Sequence, residues 1–130
     1  MRDLENRVAI VTGGGSGIGR SIALKLATHG AKISIGDLQE LPREGGKTTK
    51  EGITENGGEA IFTKVDISKE DQVEELVEKT VRSFEGVDIL VNNAAADQSA
   101  GTIEEMSTNE WERVIPVSYT HLTLPTILLV

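Results

Sequence analysis

The stretch RVAIVTGGGSGIGR, residues 7–20, decides the fold. Its first half is a short β-branched run, as in a strand that is buried on both faces of a parallel sheet. Glycines end this strand, and from Gly17 onwards apolar residues recur at three- and four-residue steps, as in an amphipathic helix. Backbone amides in such a turn, together with the positive end of the helix, can hold a diphosphate. The stretch therefore predicts a strand, a phosphate-binding turn and a helix.

Strands and helices alternate along the rest of the chain. Further strands are predicted at residues 32–37, 59–66 and 87–94, a weak helix at 40–56, and two more helices after Ser68 and Ser107. Ser68 has Asp71 three positions on, the spacing of a capping box, and Ser107 has Glu110. Because such alternation requires right-handed crossovers, we expect an α/β fold with a doubly wound parallel sheet of about four strands.

Composition and charge exclude several classes of function. The 130-residue chain has 38% apolar residues, enough for one domain with a core. Its 21 acidic and 13 basic side chains repel nucleic acid and anionic lipid, so we expect neither a nucleic-acid nor a membrane partner. Two histidines and no cysteine predict no metal site, and the charged N-terminus is unlike a signal peptide. We expect a cytoplasmic protein.

The glycine spacing leaves more than one interpretation open. Gly13, Gly17 and Gly19 form G-x-x-x-G-x-G rather than the G-x-G-x-x-G of many dinucleotide sites. Gly14 begins a G-x-x-x-x-G-R-S pattern that differs from a P-loop at Arg20, where a P-loop has the lysine that reaches the outer phosphates. A third interpretation is that the glycines serve only a tight turn.

Asp37 favours the dinucleotide interpretation. It ends the second predicted strand eighteen residues after Gly19, where a carboxylate can bind the ribose hydroxyls of an adenosine. An isolated aspartate at a strand end is more often a turn former, so the residue is informative only in combination with the loop. Its charge would repel a 2′-phosphate, and neither Ser16 nor Leu38 supplies a compensating cation. We therefore expect NAD rather than NADP.

These residues resemble the short-chain dehydrogenase/reductase family, from Arg7 to Ile115. TGGGSGIG is similar to the family's T-G-x-x-x-G-x-G, and NNAA is similar to its N-N-A-G, with Ala95 in place of the glycine, where its methyl group could crowd a ribose. In the family, the residue matching Asn92 steadies the sheet and that matching Ala94 borders the cofactor. Asp66 with Ile67 resembles the family's aspartate and following residue that contact adenine, although Asp66 alone could equally be a turn residue. The cofactor-binding residues that we predict are Gly13, Ser16, Gly17, Ile18, Gly19, Asp37, Asp66, Ile67, Asn92 and Ala94.

The resemblance implies a function for a longer parent protein. The expected reaction transfers a hydride between a nicotinamide cofactor and an alcohol or ketone substrate, and the expected parent is a homo-oligomer. The family's catalytic serine, tyrosine and lysine have no counterparts here, because Tyr119 is followed four positions later by Thr123 rather than lysine. We therefore predict no catalytic residue in this chain. A non-catalytic dinucleotide-binding protein is the main alternative, and a P-loop-like nucleotide binder is a weaker one.

The last residues form a separate hypothesis. VSYTHLTLPTILLV, residues 117–130, places Ser118, Tyr119 and His121 close together, but no acidic partner supports a hydrolase triad. The segment resembles a translated sequencing-library adapter, including an isoleucine, two index-dependent residues and a final valine. We divide the chain into residues 1–115, the NAD(P)-binding Rossmann-type portion, and residues 116–130, a non-native tail. We expect a poorly soluble, catalytically silent fragment.

Overall fold

The structure is a computed structural model that describes residues 3–93. In chain order its elements are β1 (Val8–Thr12), α1 (Gly17–Thr28), β2 (Lys32–Asp37), α2 (Thr49–Glu55), β3 (Ala60–Lys64), α3 (Glu70–Phe84) and β4 (Ile89–Asn92). The predicted helix after Ser107 and the division at residue 115 lie outside the described residues. Within the described range, every predicted strand and helix is present.

The four strands form one parallel sheet in the order β3-β2-β1-β4. This confirms the predicted doubly wound α/β fold. The order reverses at β1, whose neighbours are β2 on one side and β4 on the other. At the carboxyl end of β1, Thr12 lies opposite Gly36 of β2 and Asn92 of β4. Loops that leave the strands at such a reversal form the ligand crevice of this architecture.

Hydrophobic cores cover both faces of the sheet. Ile10 of β1 packs against Val73 and Leu76 of α3 on one face. Its neighbours Ala9 and Val11 belong to the opposite core, which includes residues of α1 and α2. Because successive side chains of a strand point to opposite faces, β1 is buried along its whole length. This explains its continuous apolar run.

The second helix is shorter than the predicted helix at 40–56. It begins at Thr49, and its N-cap Thr48 forms a complete capping box with Glu51. The Thr48 hydroxyl accepts from the Glu51 backbone N–H at 3.1 Å, and the Glu51 carboxylate accepts from the Thr48 backbone N–H at 3.3 Å. Residues 38–48 precede this helix, and Pro42, Gly45 and Gly46 in that segment do not favour helix.

The predicted capping box of Ser68 and Asp71 is wrong. The N-cap of α3 is Lys69, and no side chain caps the helix. The Ser68 hydroxyl instead donates to Asp66 Oδ1 at 2.6 Å, and the Ser68 backbone N–H donates to the same oxygen at 3.0 Å. A bond to a charged carboxylate is stronger than a bond to a neutral amide, so Asp66 takes the hydroxyl away from the helix.

The predicted apolar face of α3 is present, with Val73, Leu76, Val77 and Thr80 buried. The Thr80 hydroxyl lies 2.6 Å from the Ser34 hydroxyl of β2 and donates to the Leu76 carbonyl. None of the helices in residues 3–93 is long and apolar enough to cross a membrane.

Candidate functional site

The candidate site is built on residues 13–19, the glycine loop, which joins the carboxyl end of β1 to α1. Gly13 has a φ of 68° and donates its backbone N–H to the Gly36 carbonyl of β2 at 2.7 Å. A β-carbon on Gly19 would collide with the Gly13 carbonyl oxygen and lie 2.6 Å from Asn93 Nδ2. Gly19 therefore allows α1 to begin directly against the ends of β1 and β4.

The middle of the glycine loop is fastened to α2. The Thr49 hydroxyl donates to the Gly14 carbonyl at 2.6 Å, and Thr49 is almost completely buried. A β-carbon on Gly14 would lie 3.1 Å from the Ile35 side chain, so bare main chain allows the loop to lie flat on β2. The loop is thus held from β2 and α2 at once, which preorganises its backbone amides.

The start of α1 carries the groups that attract an anion. Ser16 is the N-cap with extended backbone, and its side chain makes no capping hydrogen bond. Its hydroxyl instead accepts from the Arg43 backbone N–H at 3.0 Å. The Gly17 backbone N–H donates to Glu44 Oε2 at 3.1 Å, and Ile18 is 73% exposed. A carboxylate at a helix N-terminus is stabilised by the same amides and dipole that stabilise a phosphate.

Glu44 shows the electrostatic character of this end of α1. Its pKa is lowered from the usual value, first by its own backbone N–H and then by the N–H of Gly17, with Arg20 and Arg43 adding smaller effects. Burial acts in the opposite direction. The Gly17 N–H at the start of α1 therefore favours the charged form of the Glu44 carboxylate.

Asp37 lies beside the glycine loop. Its Oδ2 accepts from the Gly15 backbone N–H at 2.9 Å and its Oδ1 accepts from the Leu38 backbone N–H at 2.7 Å. A β-carbon on Gly15 would lie 2.9 Å from the same carboxylate oxygen, so only glycine permits this approach. The structure thus brings together the carboxylate and the loop that the sequence pairs eighteen residues apart.

Asp66 and Ile67 follow β3 at the same edge of the sheet. Asp66 is half-buried, and the Ser68 hydroxyl and backbone N–H lower its pKa from the usual value. The Ile67 side chain is buried in the core under α3, so any ligand contact of this residue would involve its backbone. The carboxyl end of β3 is tied to β2 by a hydrogen bond of 2.8 Å from the Val65 N–H to the Asp37 carbonyl.

Asn92 and Asn93 form the other side of the crevice. Asn92 is 2% exposed, and its Oδ1 has no hydrogen-bond partner among residues 3–93. The Asn93 backbone N–H donates to the Thr12 hydroxyl at 3.0 Å, which ties the end of β4 to β1. Ala94, also predicted to border the cofactor, lies outside the described residues.

Two contacts of the glycine loop were not expected from the sequence. Thr49 anchors Gly14, and Glu44 binds the Gly17 amide. The T-x-x-E pattern of Thr48 and Glu51 is a recognisable capping signal and would have placed α2 correctly. No local pattern indicates Glu44, because its contact depends on how residues 38–48 fold back.

Arg20 does not occupy the position of a P-loop lysine. Its guanidinium lies beside α2, with Nη2 4.0 Å from the position of a β-carbon on Gly52. Its Nη1 is buried and has no hydrogen-bond partner in the described part of the chain. This packing gives the P-loop interpretation no support.

The parallel sheet, its helices on both faces and the glycine loop at the strand-order reversal define a Rossmann-like protein. The family model of short chain dehydrogenases matches residues 7–128. The chain therefore belongs to the short-chain dehydrogenase/reductase family, as its motifs indicate. The matched range extends beyond Ile115, and the adapter hypothesis for residues 117–130 stays a prediction.

Relatives and solved structures agree with this assignment. A Thermotoga maritima protein described as an uncharacterized oxidoreductase is 45% identical over 117 residues, covering 90% of this chain and 44% of the relative. A 3beta-hydroxysteroid dehydrogenase 2 from Eggerthella lenta is 37% identical, with 88% and 43% covered.

Among solved structures, a short chain dehydrogenase from Mycobacterium thermoresistibile matches with a TM-score of 0.73 and 30% identity, covering 98% of this chain and 52% of that one. A hydroxysteroid dehydrogenase from Escherichia coli matches with a TM-score of 0.62 and 34% identity, covering 68% of this chain and 35% of that one. The chain spans about half the length of the relatives it matches, or less.

Proposed function

We propose that the complete protein is an NAD-dependent oxidoreductase that transfers a hydride between the nicotinamide and an alcohol or ketone. In this proposal, the described residues form the adenosine half of the cofactor site. The observation that carries it is the Asp37 carboxylate 2.9 Å from the Gly15 amide, beside the exposed start of α1. A ribose-binding carboxylate and a diphosphate-binding turn at a strand-order reversal suit a dinucleotide.

The residues present fit the cofactor. A β-carbon on Gly17 would meet no atom within 4 Å, so the main chain there is open to a diphosphate, and the Gly17 amide already binds an anionic oxygen of Glu44. Ser16 adds a hydroxyl at the same helix end. These groups would hold the diphosphate, and Asp37 would hold the adenosine ribose.

Asp37 supports NAD over NADP. A carboxylate about 4 Å from a 2′-phosphate is repelled by about 1 kcal/mol in water and about 4 kcal/mol near a protein surface. A free 2′-hydroxyl would instead donate a hydrogen bond to the same carboxylate. Both Asp37 oxygens accept backbone hydrogen bonds, so the charge is held in place beside the loop.

The bound nicotinamide would supply or accept the hydride. The residues that move the proton of the alcohol or ketone are, by family resemblance, a serine, a tyrosine and a lysine that this chain lacks. We therefore propose that this chain alone binds the cofactor without turning it over. Two relatives named hydroxysteroid dehydrogenases support the alcohol or ketone class of substrate.

A thermal-shift assay of the chain with NADH, NADPH and ATP tests the cofactor assignment. We expect stabilisation by NADH above that by NADPH, and none by ATP with magnesium, because a ligand that binds only the folded state raises its melting temperature. Stabilisation by ATP alone would support the P-loop alternative and contradict the proposal. An assay of NADH oxidation with a panel of ketones tests the expectation that this chain is catalytically inactive. Any turnover above background would contradict that expectation.

The sequence of the complete gene distinguishes the proposed enzyme from the non-catalytic alternative. A dinucleotide-binding protein without activity would bind NADH in the thermal-shift assay as well. Its complete reading frame would lack a tyrosine followed four positions later by a lysine. The enzyme proposal requires that pair.

A further inference from the structure

Residues 38–46, which we name the strap, lie between β2 and the capping box of α2 and cross the mouth of the glycine loop. Two contacts hold the strap there. The Arg43 backbone N–H donates to the Ser16 hydroxyl at 3.0 Å, and Glu44 Oε2 accepts from the Gly17 backbone N–H at 3.1 Å. The strap thus contacts the Ser16 hydroxyl and occupies the Gly17 amide, two of the groups at the start of α1 that would bind a diphosphate.

The Glu44 contact competes with the ligand of the proposed site. One backbone N–H cannot make full hydrogen bonds with a carboxylate and a diphosphate at the same position, and the two anions repel each other. Glu44 is exposed, so it can leave the Gly17 amide for water at little cost. Arg20 and Arg43 are the cations whose charges act on this carboxylate.

Two glycines follow Glu44 directly. Gly45 and Gly46 have φ values of 84° and 88°, and a β-carbon on either would meet no atom within 4 Å. The two ends of the strap are anchored independently of Glu44. Asp37, which precedes the strap, accepts from the Gly15 backbone N–H, and Thr49, which follows it in α2, donates to the Gly14 carbonyl. Rotation of the exposed Glu44 side chain can therefore release the Gly17 amide while the glycine loop stays fastened to α2.

We propose that Glu44 is an internal competitor for the diphosphate, which holds the strap over the glycine loop of the free protein and must leave the Gly17 amide when the dinucleotide binds. The strap then sets the affinity for the cofactor without touching the reacting atoms. This inference rests on the proposed function, because it assumes that the diphosphate binds at the start of α1.

Isothermal titration of the full chain with NADH tests the proposal with matched variants. Glu44→Gln removes the competing charge, and Glu44→Ala removes the acceptor as well. Glu40→Gln is the control, because Glu40 lies on the same strap, loses the same charge, and makes no hydrogen bond or ion pair with residues 3–93. Circular dichroism of each variant establishes that it is folded.

We expect both Glu44 variants to bind NADH about two- to fivefold more tightly than the unchanged protein, the range typical of a single charge at a helix N-terminus. Glu40→Gln should change the affinity by less than half as much. Equal or weaker NADH binding by the Glu44 variants, with the unchanged protein still binding, overturns the role of the strap alone. No NADH binding by any of these proteins overturns the proposed function and the strap's role together.

Discussion

The Asp37 carboxylate at the end of β2 accepts a hydrogen bond from the Gly15 backbone N–H in the middle of the glycine loop, with 2.9 Å between Oδ2 and N. This bond joins the proposed ribose-binding carboxylate directly to the proposed diphosphate-binding loop. A carboxylate that already binds the loop is preorganised, so little side-chain entropy remains to be lost when a ribose binds.

Asp37→Asn is expected to shift the cofactor preference towards NADP. The substitution removes the charge that repels a 2′-phosphate and keeps an oxygen that can accept from Gly15. The ratio of NADPH to NADH affinity should rise about fivefold or more, because the repulsion is worth about 1 to 4 kcal/mol. Titration of both cofactors measures this ratio.

Asp88→Asn is the control for that experiment. Asp88 accepts from the Val8 backbone N–H at 2.9 Å, a bond like that of Asp37, but at the start of β1 and so at the opposite end of the sheet. The Asp88→Asn variant should leave the ratio of NADPH to NADH affinity unchanged. The same rise in both variants would show that net charge, and not the position of Asp37, determines the preference.

Gly19→Ala is expected to destabilise the protein by about 1 to 3 kcal/mol and to weaken NADH binding, because the new methyl group would collide with the Gly13 carbonyl oxygen and displace α1. Gly52→Ala is the control within α2. Its β-carbon would lie 3.2 Å from the flexible end of Leu24, and alanine favours helix by up to about 1 kcal/mol. Urea unfolding measures both changes, and similar free energies for the two variants would contradict the close packing at Gly19.

Thr49→Val is expected to destabilise the folded state by about 1 to 3 kcal/mol, because it leaves the buried Gly14 carbonyl without the hydroxyl that donates to it. Thr54→Val in the same helix removes an exposed hydroxyl that donates to the Glu51 carbonyl at 3.2 Å. That control should change stability by about 0.5 kcal/mol or less. Thermal unfolding of the two variants measures how much the hydrogen bond between Thr49 of α2 and the glycine loop contributes to stability.

Ser68→Ala is expected to raise the pKa of Asp66 towards its usual value, since the Ser68 hydroxyl is the largest cause of its lowering. A lowered carboxyl pKa stabilises the folded state above the usual pKa, and this stabilisation is lost as the pH falls through the folded value. The variant should therefore have a smaller free energy of unfolding at neutral pH than the unchanged protein. On acidification, its free energy of unfolding should fall by less. NMR titration of the Asp66 carboxyl carbon measures the shift, with the exposed Ser83→Ala as control. An unchanged Asp66 pKa would contradict the assignment.

Sequencing the locus from intact DNA tests the adapter hypothesis. We expect the reading frame to depart from the present one after Ile115 and to continue into a tyrosine followed four positions later by a lysine. A genomic copy that encodes residues 117–130 as they stand, with no library adapter present, would defeat the hypothesis.

The buried strands and the amphipathic α3 could be predicted because their signals are local. An apolar run such as that of β1, ended by glycine, needs no information from the rest of the chain to be recognised. The same holds for the order of strands and helices, from which right-handed crossovers and a parallel sheet follow. The family motif likewise lies in consecutive residues at Gly13 to Gly19.

Capping at the helix starts was predicted less well. Ser68 satisfies the capping pattern, yet its hydroxyl binds Asp66 because a nearby carboxylate is a stronger acceptor. Thr48 satisfies the same pattern and does cap its helix. A short motif shows which bonds a side chain can make, and the surrounding groups decide which bond it makes.

The alternation of apolar runs, glycine turn and helical periodicity was sufficient to establish the α/β class, the family motif and the pairing of Asp37 with the glycine loop. Only the folded chain decided that Thr49 anchors Gly14 and that Glu44 lies on the Gly17 amide, across separations of 35 and 27 residues. The physical reason is that periodicity and propensity act over a few neighbouring residues. A hydrogen bond between distant segments depends instead on packing of the whole domain, which brings the strap and α2 against the end of β1.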